Sequence, residues 1–342
     1  MDFELTADQV ELQDAARAVL ARECPAAYVR RVAERGEGAD ELWSTMCGLD
    51  WPALAIPTDV GGLGSSWVEL AVVVEELGRA AAPGPFLATV TQFVPMVLEA
   101  GSPEQRKRWV TPAAAGELTG TVAIDEGAGT WSAGQVRATA APARDGYRLS
   151  GRKRFVLDGG TADEIVVAAR LDGELVLVTV PGPYVAARHV PPIDGTTRHA
   201  DLTLDGVLVE RDRLLAAPEP GRALERAMEE AVTAVAVSTV GTCQRILDMV
   251  VAYVKQREQF GVPVGSFQAV KHKVVDMYRD VERARALGYF SALCIAEDDP
   301  RRALAAAMAK ASAGECQQRV VQDGLQLFGG IGYTWEHDLH LL

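Results

Sequence analysis

The chain has 342 residues, which is enough for two or three domains that each bury a core. Apolar residues make up 48% of it and the formal net charge is −13, so the sequence excludes the basic face that non-specific nucleic-acid binding requires. No run of about 18 uninterrupted apolar residues occurs. The N-terminus MDFELTADQ lacks the apolar core of a signal sequence. We therefore expect no membrane span.

The five cysteines are scattered along the chain and show neither a Cys-x-x-Cys nor a Cys/His spacing. Structural zinc sites need such a spacing. The pattern predicts a reduced, cytoplasmic protein with ordinary buried thiols and no metal site.

The segment up to Gly116 is typical of helices. Thr6 and Gln9 form a capping box that begins a helix reaching about Arg22. Ser102 and Pro103 supply the N-cap and first position of another helix. Further helices are predicted over residues 39–49, 67–79 and 87–99, with a loop rich in Pro and Gly over 51–65.

After Gly116 the period changes to that of strands. Short runs with alternating or β-branched residues follow one another at intervals of about ten residues, which is the pattern of a small β-barrel or sandwich. Asp145-Gly146 and Asp172-Gly173 indicate hairpin turns. This segment ends near Leu215.

From Pro220 the pattern predicts three long helices. The first ends near Glu258, the second begins with Ser266 as its N-cap, and the third stops at Gly329-Gly330. The predicted fold class is therefore α+β multidomain. It comprises an N-terminal α-helical domain over residues 1–116, a middle β-barrel or sandwich over 117–216, and a C-terminal bundle of the four-helix type over 217–342.

The corner between the first two long helices carries residues suited to a nucleotide. An arginine fork can hold a phosphate through two parallel hydrogen bonds, a phenylalanine offers a face to a flat ring, and a glutamine can read a ring edge or a ribose hydroxyl. The corner residues are Arg257, Gln259, Phe260, Phe267 and Gln268. By themselves such corners are more often only packing.

Three motifs resemble the acyl-CoA dehydrogenase family, and the resemblance covers essentially the whole chain. They are IPTDVGGLG at 56–64, REQFGVPVGSFQAVKHKVVDM at 257–277 and QLFGGIGYTWEHDL at 326–339. The resemblance implies FAD as cofactor, a CoA thioester as substrate and electron-transfer flavoprotein as electron acceptor. In this family a glutamate removes the α-proton while the β-hydrogen leaves as hydride to the flavin.

The glutamate is not found at the family positions within this sequence. One position falls at Ala231, and a second, used in short members that resemble steroid side-chain dehydrogenases, falls at Ser238. A third lies about fifteen residues beyond the GGxGY motif, past Leu342. A serine hydroxyl cannot replace a carboxylate base at neutral pH.

The segments that hold the flavin ring in the family are also changed here. Residues 124–130 read IDEGAGT, and 153–158 read KRFVLD. By the resemblance, Phe155 replaces a tryptophan and Leu157 replaces the threonine that faces flavin N5. Trp131 is a candidate plug for a vacant ring site. These changes predict a weakened flavin-ring site in this chain.

By contrast, the residues that reach a neighbouring subunit's FAD in the family are retained. The resemblance assigns contacts with the ADP moiety to Arg257, Gln259, Phe260, Phe267, Gln268, Gln326, Gly329 and Gly330. As isolated features, Gly329-Gly330 is a helix stop and Arg257 a solvated charge. The two motifs together favour the cofactor role.

This asymmetry predicts the subunit without the catalytic base in an α2β2 heterotetramer with a homologous acyl-CoA dehydrogenase subunit. A steroid side-chain CoA is the substrate favoured by the resemblance. Three alternatives stay open: a homotetrameric dehydrogenase with its base elsewhere, a non-catalytic scaffold, and a related flavoprotein with other chemistry.

Overall fold

The computed structural model describes residues 5–127, 129 and 133–342. Trp131, together with Ala128 and Thr130 of the flavin-ring segment, lies outside the described residues. The helices are α1 Ala7–Glu23, α2 Ala26–Arg35, α3 Asp40–Gly48, α4 Trp67–Arg79, α5 Phe86–Ala88, α6 Val94–Ala100, α7 Pro103–Ala114, α8 Pro220–Gln256, α9 Gln268–Ala296 and α10 Arg302–Phe328. The strands are β1 Gly120–Ala123, β2 Thr139–Ala143, β3 Gly146–Leu157, β4 Glu164–Leu171, β5 Glu174–Pro181, β6 Ala186–Val190, β7 His199–Glu210, β8 Glu258–Gln259 and β9 Val262–Pro263.

The chain forms two compact units. The helical unit comprises Met1–Glu37, Ser66–Ala82 and Val232–Leu342, and the sheet unit comprises Gly38–Ser65 and Pro83–Ala231. Each unit thus combines segments that are distant in sequence. The division into three consecutive domains, 1–116, 117–216 and 217–342, stays a prediction. The fold class itself is confirmed: helices come first, a curled sheet is in the middle, and long helices follow.

The sheet unit is built on one seven-stranded sheet in the order β1-β4-β2-β3-β7-β6, with β5 paired to β4. Strand β4 pairs with β5 along one edge, while its other edge is shared by β1 and the start of β2, both parallel to it. Alternate residues of β4 belong to two different apolar clusters, as the two-residue period of a strand requires. Both faces of β4 are therefore buried.

Local sequence signals account for several of these elements. The capping boxes at Thr6 and Ser102 are present, each with its partner glutamine. The Asp172-Gly173 turn joins β4 to β5, and both residues have positive φ, as a two-residue hairpin turn of the favoured type requires. Strand β6 was not predicted, because its sequence AARHV is mostly exposed and does not alternate.

The predicted N-cap at Ser266 is wrong by one residue. The residue that precedes the first turn of α9 is Phe267, which makes no side-chain capping hydrogen bond. Ser266 ends a short 3-10 turn, and its hydroxyl donates to the Pro263 carbonyl at 2.7 Å. The hydroxyl is thus used to close the turn before the helix.

Helices α4 and α8 meet at two glycines in the helical unit. A Cβ atom at Gly241 would lie 1.9 Å from the Glu75 carbonyl oxygen, and one at Gly78 would lie 1.9 Å from the Ser238 carbonyl oxygen. The Thr242 hydroxyl donates to the Gly78 carbonyl at 2.9 Å. The two backbones are therefore in direct contact, which no other residue type permits at these positions.

Two adjacent carboxylates on α4 are buried beside this crossing. Glu75 is 3% exposed and accepts hydrogen bonds from Arg285 Nε and Tyr289 Oη, both at 2.9 Å. Glu76 accepts two from Arg17, at 2.7 and 3.1 Å. A buried carboxylate is tolerated only with such partners, so these contacts tie α1 and α9 to α4.

Helix α8 is long and apolar enough to cross a membrane by length and composition, and it is one such helix in the part of the chain that was described. Half of its most apolar window is buried within the structure. The core helix of a soluble protein has the same properties. The absence of a membrane span stays a prediction.

Replacing Gly241 by alanine should destabilise the helical unit, because the new methyl group meets a carbonyl oxygen that cannot move independently of α4. We expect a loss of about 3 kcal/mol in the free energy of unfolding, measured with urea. Gly314→Ala is the matched control: it lies within α10 with nothing within 4 Å of the added Cβ, and should gain about 0.5–1 kcal/mol. Equal effects of the two substitutions would contradict the close crossing.

Candidate functional site

The corner between α8 and α9 is a small β-hairpin. Glu258 and Gln259 pair with Val262 and Pro263, and the loop between them is Phe260-Gly261. Both loop residues have positive φ, 57° and 80°. Glycine accepts this conformation, but a bulky residue such as phenylalanine is strained in it. The hairpin thus holds Phe260 in a fixed, unfavourable backbone geometry.

The side chains of this corner face solvent. Phe260 is 92% exposed and its ring meets that of Phe267 edge to face, with centroids 6.1 Å apart. Arg257 is exposed and forms no ion pair with any described residue. Such an arginine is available to an external anion, and the two rings offer apolar surface at the same corner.

The second predicted motif ends α10. Gly329 has φ 64° and ψ −141°, a combination that glycine alone adopts readily. Gln326, Gly329 and Gly330 are exposed. The backbone here is open to a phosphate or another anion, since no described atom lies within 4 Å of a Cβ placed on either glycine.

The structure brings the two motifs to the same end of the helical unit. The rings of Tyr253, on the last turns of α8, and Phe328, the last residue of α10, are 5.1 Å apart at their centroids. An ion pair between Lys273 and Asp323 joins the first turns of α9 to the last turns of α10. Packing of the three long helices therefore brings together two motifs that lie about sixty residues apart in the sequence.

The two positions expected to carry the glutamate differ in their surroundings. Ala231 is buried in α8. Ser238 is half-buried, and its hydroxyl makes no hydrogen bond with any described residue. Neither position provides a carboxylate. The carboxylates of Glu75 and Glu76 on α4 are already engaged with Arg285 and Arg17.

The two flavin-ring segments of the sequence lie side by side in the sheet unit. The Arg154 amide donates to the Asp125 carbonyl at 2.9 Å. Strand β3 is irregular between Lys153 and Val156, and within this bulge Phe155 has a positive φ of 52°. Phe155 is 53% exposed, and its amide donates to Asp201. It is a second aromatic residue displayed on strained backbone.

A buried lysine fixes this arrangement. Lys153 is 0% exposed, and its Nζ donates to Glu126 at 2.7 Å and to the Ile124 carbonyl at 3.1 Å. Glu126 also accepts the amides of Arg137 and Ala138. Burial lowers the pKa of Lys153 against the opposing pull of Glu126. Burial acts to raise the pKa of Glu126, but the hydrogen bonds from Lys153 and the two amides outweigh it, and this pKa is lowered.

Asp158, which directly follows Leu157, was not singled out from the sequence. It is 7% exposed, and its carboxylate accepts no hydrogen bond from the described residues. Burial raises the pKa of the Asp158 carboxyl to about 7, while the charge of Arg198 acts in the opposite direction. No local sequence pattern indicates that Asp158 is buried, because its burial depends on how the end of β3 packs.

No group of three or more His, Cys, Asp or Glu side chains arranged to hold a metal ion occurs among residues 5–127, 129 and 133–342. Cys24, Cys47, Cys243, Cys294 and Cys316 are free thiols. The absence of a metal site stays a prediction.

Replacing Asp158 by asparagine should stabilise the protein at alkaline pH. A carboxyl whose folded pKa of about 7 exceeds its unfolded value favours the fold below pH ~4, and this contribution is lost as the pH rises through 7. Asparagine is neutral and tolerates the positive φ of this position. By urea unfolding we expect a gain of about 2 kcal/mol at pH ~8 and little change at pH ~4.

The control for this substitution is Asp172→Asn. Asp172 also has a positive φ, 51°, but it is exposed in a hairpin turn. Its effect should therefore be the same at both pH values. A pH-independent effect at Asp158 would show that its carboxyl ionises normally.

Comparison with known proteins identifies the family of the chain. The N-terminal domain of acyl-CoA dehydrogenases matches residues 6–117, and the C-terminal domain matches 221–342. The acyl-CoA dehydrogenase IpdE2 of Mycobacterium tuberculosis is 32% identical over 332 residues, covering 96% of this chain and 88% of that protein.

Two solved heteromeric assemblies have the same fold. A chain of the ChsE4-ChsE5 complex from Mycobacterium tuberculosis superposes with a TM-score of 0.89 at 29% identity, covering 100% of this chain and 92% of that one. A chain of the Tcur3481-Tcur3483 steroid ACAD superposes with a TM-score of 0.86 at 31% identity, covering 98% and 90%. The chain described here belongs to the acyl-CoA dehydrogenase family, whose members are FAD-binding oxidoreductases.

Proposed function

We propose that this chain is a subunit of an FAD-dependent acyl-CoA dehydrogenase that introduces an α,β-double bond into a CoA thioester. Its role is to contact the ADP moiety of an FAD shared with a homologous subunit that carries the catalytic glutamate. The observation that carries the proposal is the exposed Arg257 without an ion-pair partner in the described structure, beside the strained Phe260. Ala231 and Ser238 supply no base.

The corner residues suit the parts of an ADP group. Arg257 would hold the pyrophosphate through its planar fork, and the rings of Phe260 and Phe267 would cover the adenine. Gln259, Gln268 and Gln326 offer amides to ribose hydroxyls or the adenine edge, and Gly329-Gly330 lets the backbone approach a phosphate. When bound, FAD accepts the hydride from the β-carbon.

The partner and substrate follow from the same asymmetry. The α-proton must go to a carboxylate, and Ala231 and Ser238 supply none. A base contributed by the homologous subunit of an α2β2 assembly fits this change together with the retained ADP-side residues. The similarity to chains of two heteromeric complexes supports this. One of those is a steroid ACAD, which favours a bulky thioester such as a steroid side-chain CoA. Electron-transfer flavoprotein is the proposed acceptor of the reducing equivalents.

The flavin content per chain tests the proposal. The chain purified alone should be nearly colourless, because the flavin-ring site of each copy is weakened. Co-expressed with the homologous acyl-CoA dehydrogenase subunit, it should form a 2:2 complex with two FADs, measured by absorbance and mass. One FAD per chain in the isolated protein would favour a homotetramer. A complex without flavin would favour the scaffold alternative.

Within that complex, Arg257→Ala should weaken FAD binding about 10-fold to 100-fold, because a charge-assisted pair of hydrogen bonds to phosphate is lost. Arg245→Ala is the control, since Arg245 is also exposed and lies on α8. Equal FAD affinity of the two variants would remove Arg257 from the cofactor site.

Restoring a carboxylate at Ser238 should not create an active enzyme from this chain alone. The Ser238→Glu variant would have a base but no complete flavin-ring site, so we expect no oxidation of a panel of CoA thioesters by an artificial electron acceptor. Thr239→Glu, rotated by about 100° around α8, is the matched control. Turnover by isolated Ser238→Glu would mean that the chain needs no partner.

A further inference from the structure

Two of the five cysteines meet in the core of the helical unit. Cys243 on α8 and Cys316 on α10 are about seventy residues apart in the sequence, both are 0% exposed, and both belong to the same apolar cluster. The Cys243 thiol donates a hydrogen bond to the Cys316 sulfur. Two sulfur atoms within hydrogen-bonding reach need only a small movement to form a bond of about 2.05 Å.

The packing of α8 against α10 explains why the two thiols meet. Ala236 and Ala309 share one small apolar cluster, and further along a Cβ atom at Gly324 would lie 2.9 Å from Ile246 Cγ2. These contacts follow the same order along both helices, so α8 and α10 run parallel and the cysteines lie between the two contacts. Small residues such as alanine and glycine allow helix backbones to approach closely. A disulfide requires this approach, because its Cα atoms must be about 4.4–6.8 Å apart.

The two thiols of the pair differ in how readily they ionise. The hydrogen bond from Cys243 lowers the pKa of Cys316, and the charges of Arg283 and Arg285 act in the same direction. Burial and the charge of Asp280 oppose this without cancelling it. The hydrogen bond and burial both raise the pKa of Cys243. Since the thiolate is the reactive form, Cys316 is the nucleophile of the pair and Cys243 keeps its proton.

We propose that Cys316 and Cys243 are oxidised by hydrogen peroxide to a reversible disulfide that ties α8 to α10. The inference goes beyond the proposed function and does not depend on it. Without an oxidant both cysteines remain free thiols, as they are in this structure. Both are completely buried, so the oxidant must be small, and it gains access when the helices open locally.

The reaction transfers two electrons from the thiols to one peroxide molecule. The Cys316 thiolate attacks one peroxide oxygen, the O–O bond breaks, and the other oxygen leaves as hydroxide, which takes up a proton to become water. Cys316 is then a sulfenic acid. The Cys243 sulfur attacks the Cys316 sulfur, the S–O bond breaks, and a second water leaves with the Cys243 proton. A small dithiol reverses the reaction by thiol–disulfide exchange.

The disulfide acts on the ends of both helices. Arg257 directly follows α8 and Gly329 directly follows α10, so each of the two predicted motifs lies within about four helical turns of one cysteine. A covalent bond limits how far the two helices can separate at this end of the helical unit. Oxidation should therefore slow hydrogen exchange of the amides in the last turns of α10.

The cross-link is read on the wild-type chain, so the test does not depend on the folding of any variant. The full-length protein is treated with hydrogen peroxide, the remaining thiols are blocked with iodoacetamide in denaturant, and proteolytic peptides are identified by mass. We expect two peptides joined through Cys243 and Cys316, lighter by two hydrogen atoms than the separate peptides and released by dithiothreitol. The melting temperature should rise by about 5–10 °C, because the bond restricts the unfolded chain.

Single substitutions separate the roles of the two thiols. In Cys243→Ala the sulfenic acid at Cys316 has no thiol to react with, so dimedone should label it. In Cys316→Ala, dimedone should leave Cys243 unlabelled; labelling there would reverse the assigned roles. Cys24→Ala is the control: Cys24 is also buried, but burial raises its pKa to about 12, so this variant should form the same cross-link as the wild type.

Three results would overturn the inference. Thiols that both stay free, at a peroxide concentration that oxidises free glutathione, would show that the pair does not react in the folded protein. Cross-links from Cys243 or Cys316 to Cys24, Cys47 or Cys294 in similar amounts would show that the thiols react only after unfolding. A disulfide that changes neither the melting temperature nor hydrogen exchange in α10 would show that it does not tie the helices.

Discussion

The helical unit depends on the carboxylate of Glu75. Its two oxygens receive Arg285 and Tyr289 from α9, and its backbone carbonyl lies against Gly241 of α8. Burial, together with the charge of Glu75, raises the pKa of the Tyr289 hydroxyl, so the hydroxyl stays a donor. One residue thus fixes the position of α4 against two long helices. A cavity of about 540 Å³ lined by charged side chains, among them Arg17, Glu76 and Arg285, lies beside this network.

The sheet unit also contains buried ion pairs that connect its strands. Arg213 donates to both oxygens of Glu164 at the start of β4, at 2.9 and 3.2 Å. The buried Lys153 on β3 pairs with Glu126, which follows β1. Removing one partner of such a pair is costly, whereas the intact pair adds little net stability. We therefore expect such pairs to matter more for which backbone arrangement forms than for how stable it is.

Local rules were sufficient for most features whose determining atoms are close in sequence. Thr6 with Gln9, and Asp172 with Gly173, could be placed from the sequence because a cap and a hairpin turn involve neighbouring residues. The prediction of Ser266 as the N-cap of α9 was wrong, because its hydroxyl donates to the Pro263 carbonyl and closes the preceding turn. The broad order of helices and strands was also predicted, because periodicity reflects which faces are buried.

The features that depend on distant contacts could not be predicted. Nothing near Lys153 in sequence reveals that its ammonium group will pair with Glu126. The burial of Asp158 depends on the start of β7, where the Asp158 amide donates to the Arg198 carbonyl. Of the candidate site, the sequence supplied the residue identities at 257–268 and 326–330. It did not supply their exposure, the strain at Phe260, or the contact between Tyr253 and Phe328 that gathers the two motifs.

The hairpin at Phe260 has a consequence for the speed of recognition. Because its two-residue loop is closed by backbone pairing between β8 and β9, the shape of the corner does not wait for a ligand. A ring presented in this way loses little conformational freedom on contact, so each collision in the right orientation can be productive. The strained backbone of a single phenylalanine thereby makes the corner a rigid template for the nucleotide that we propose binds there.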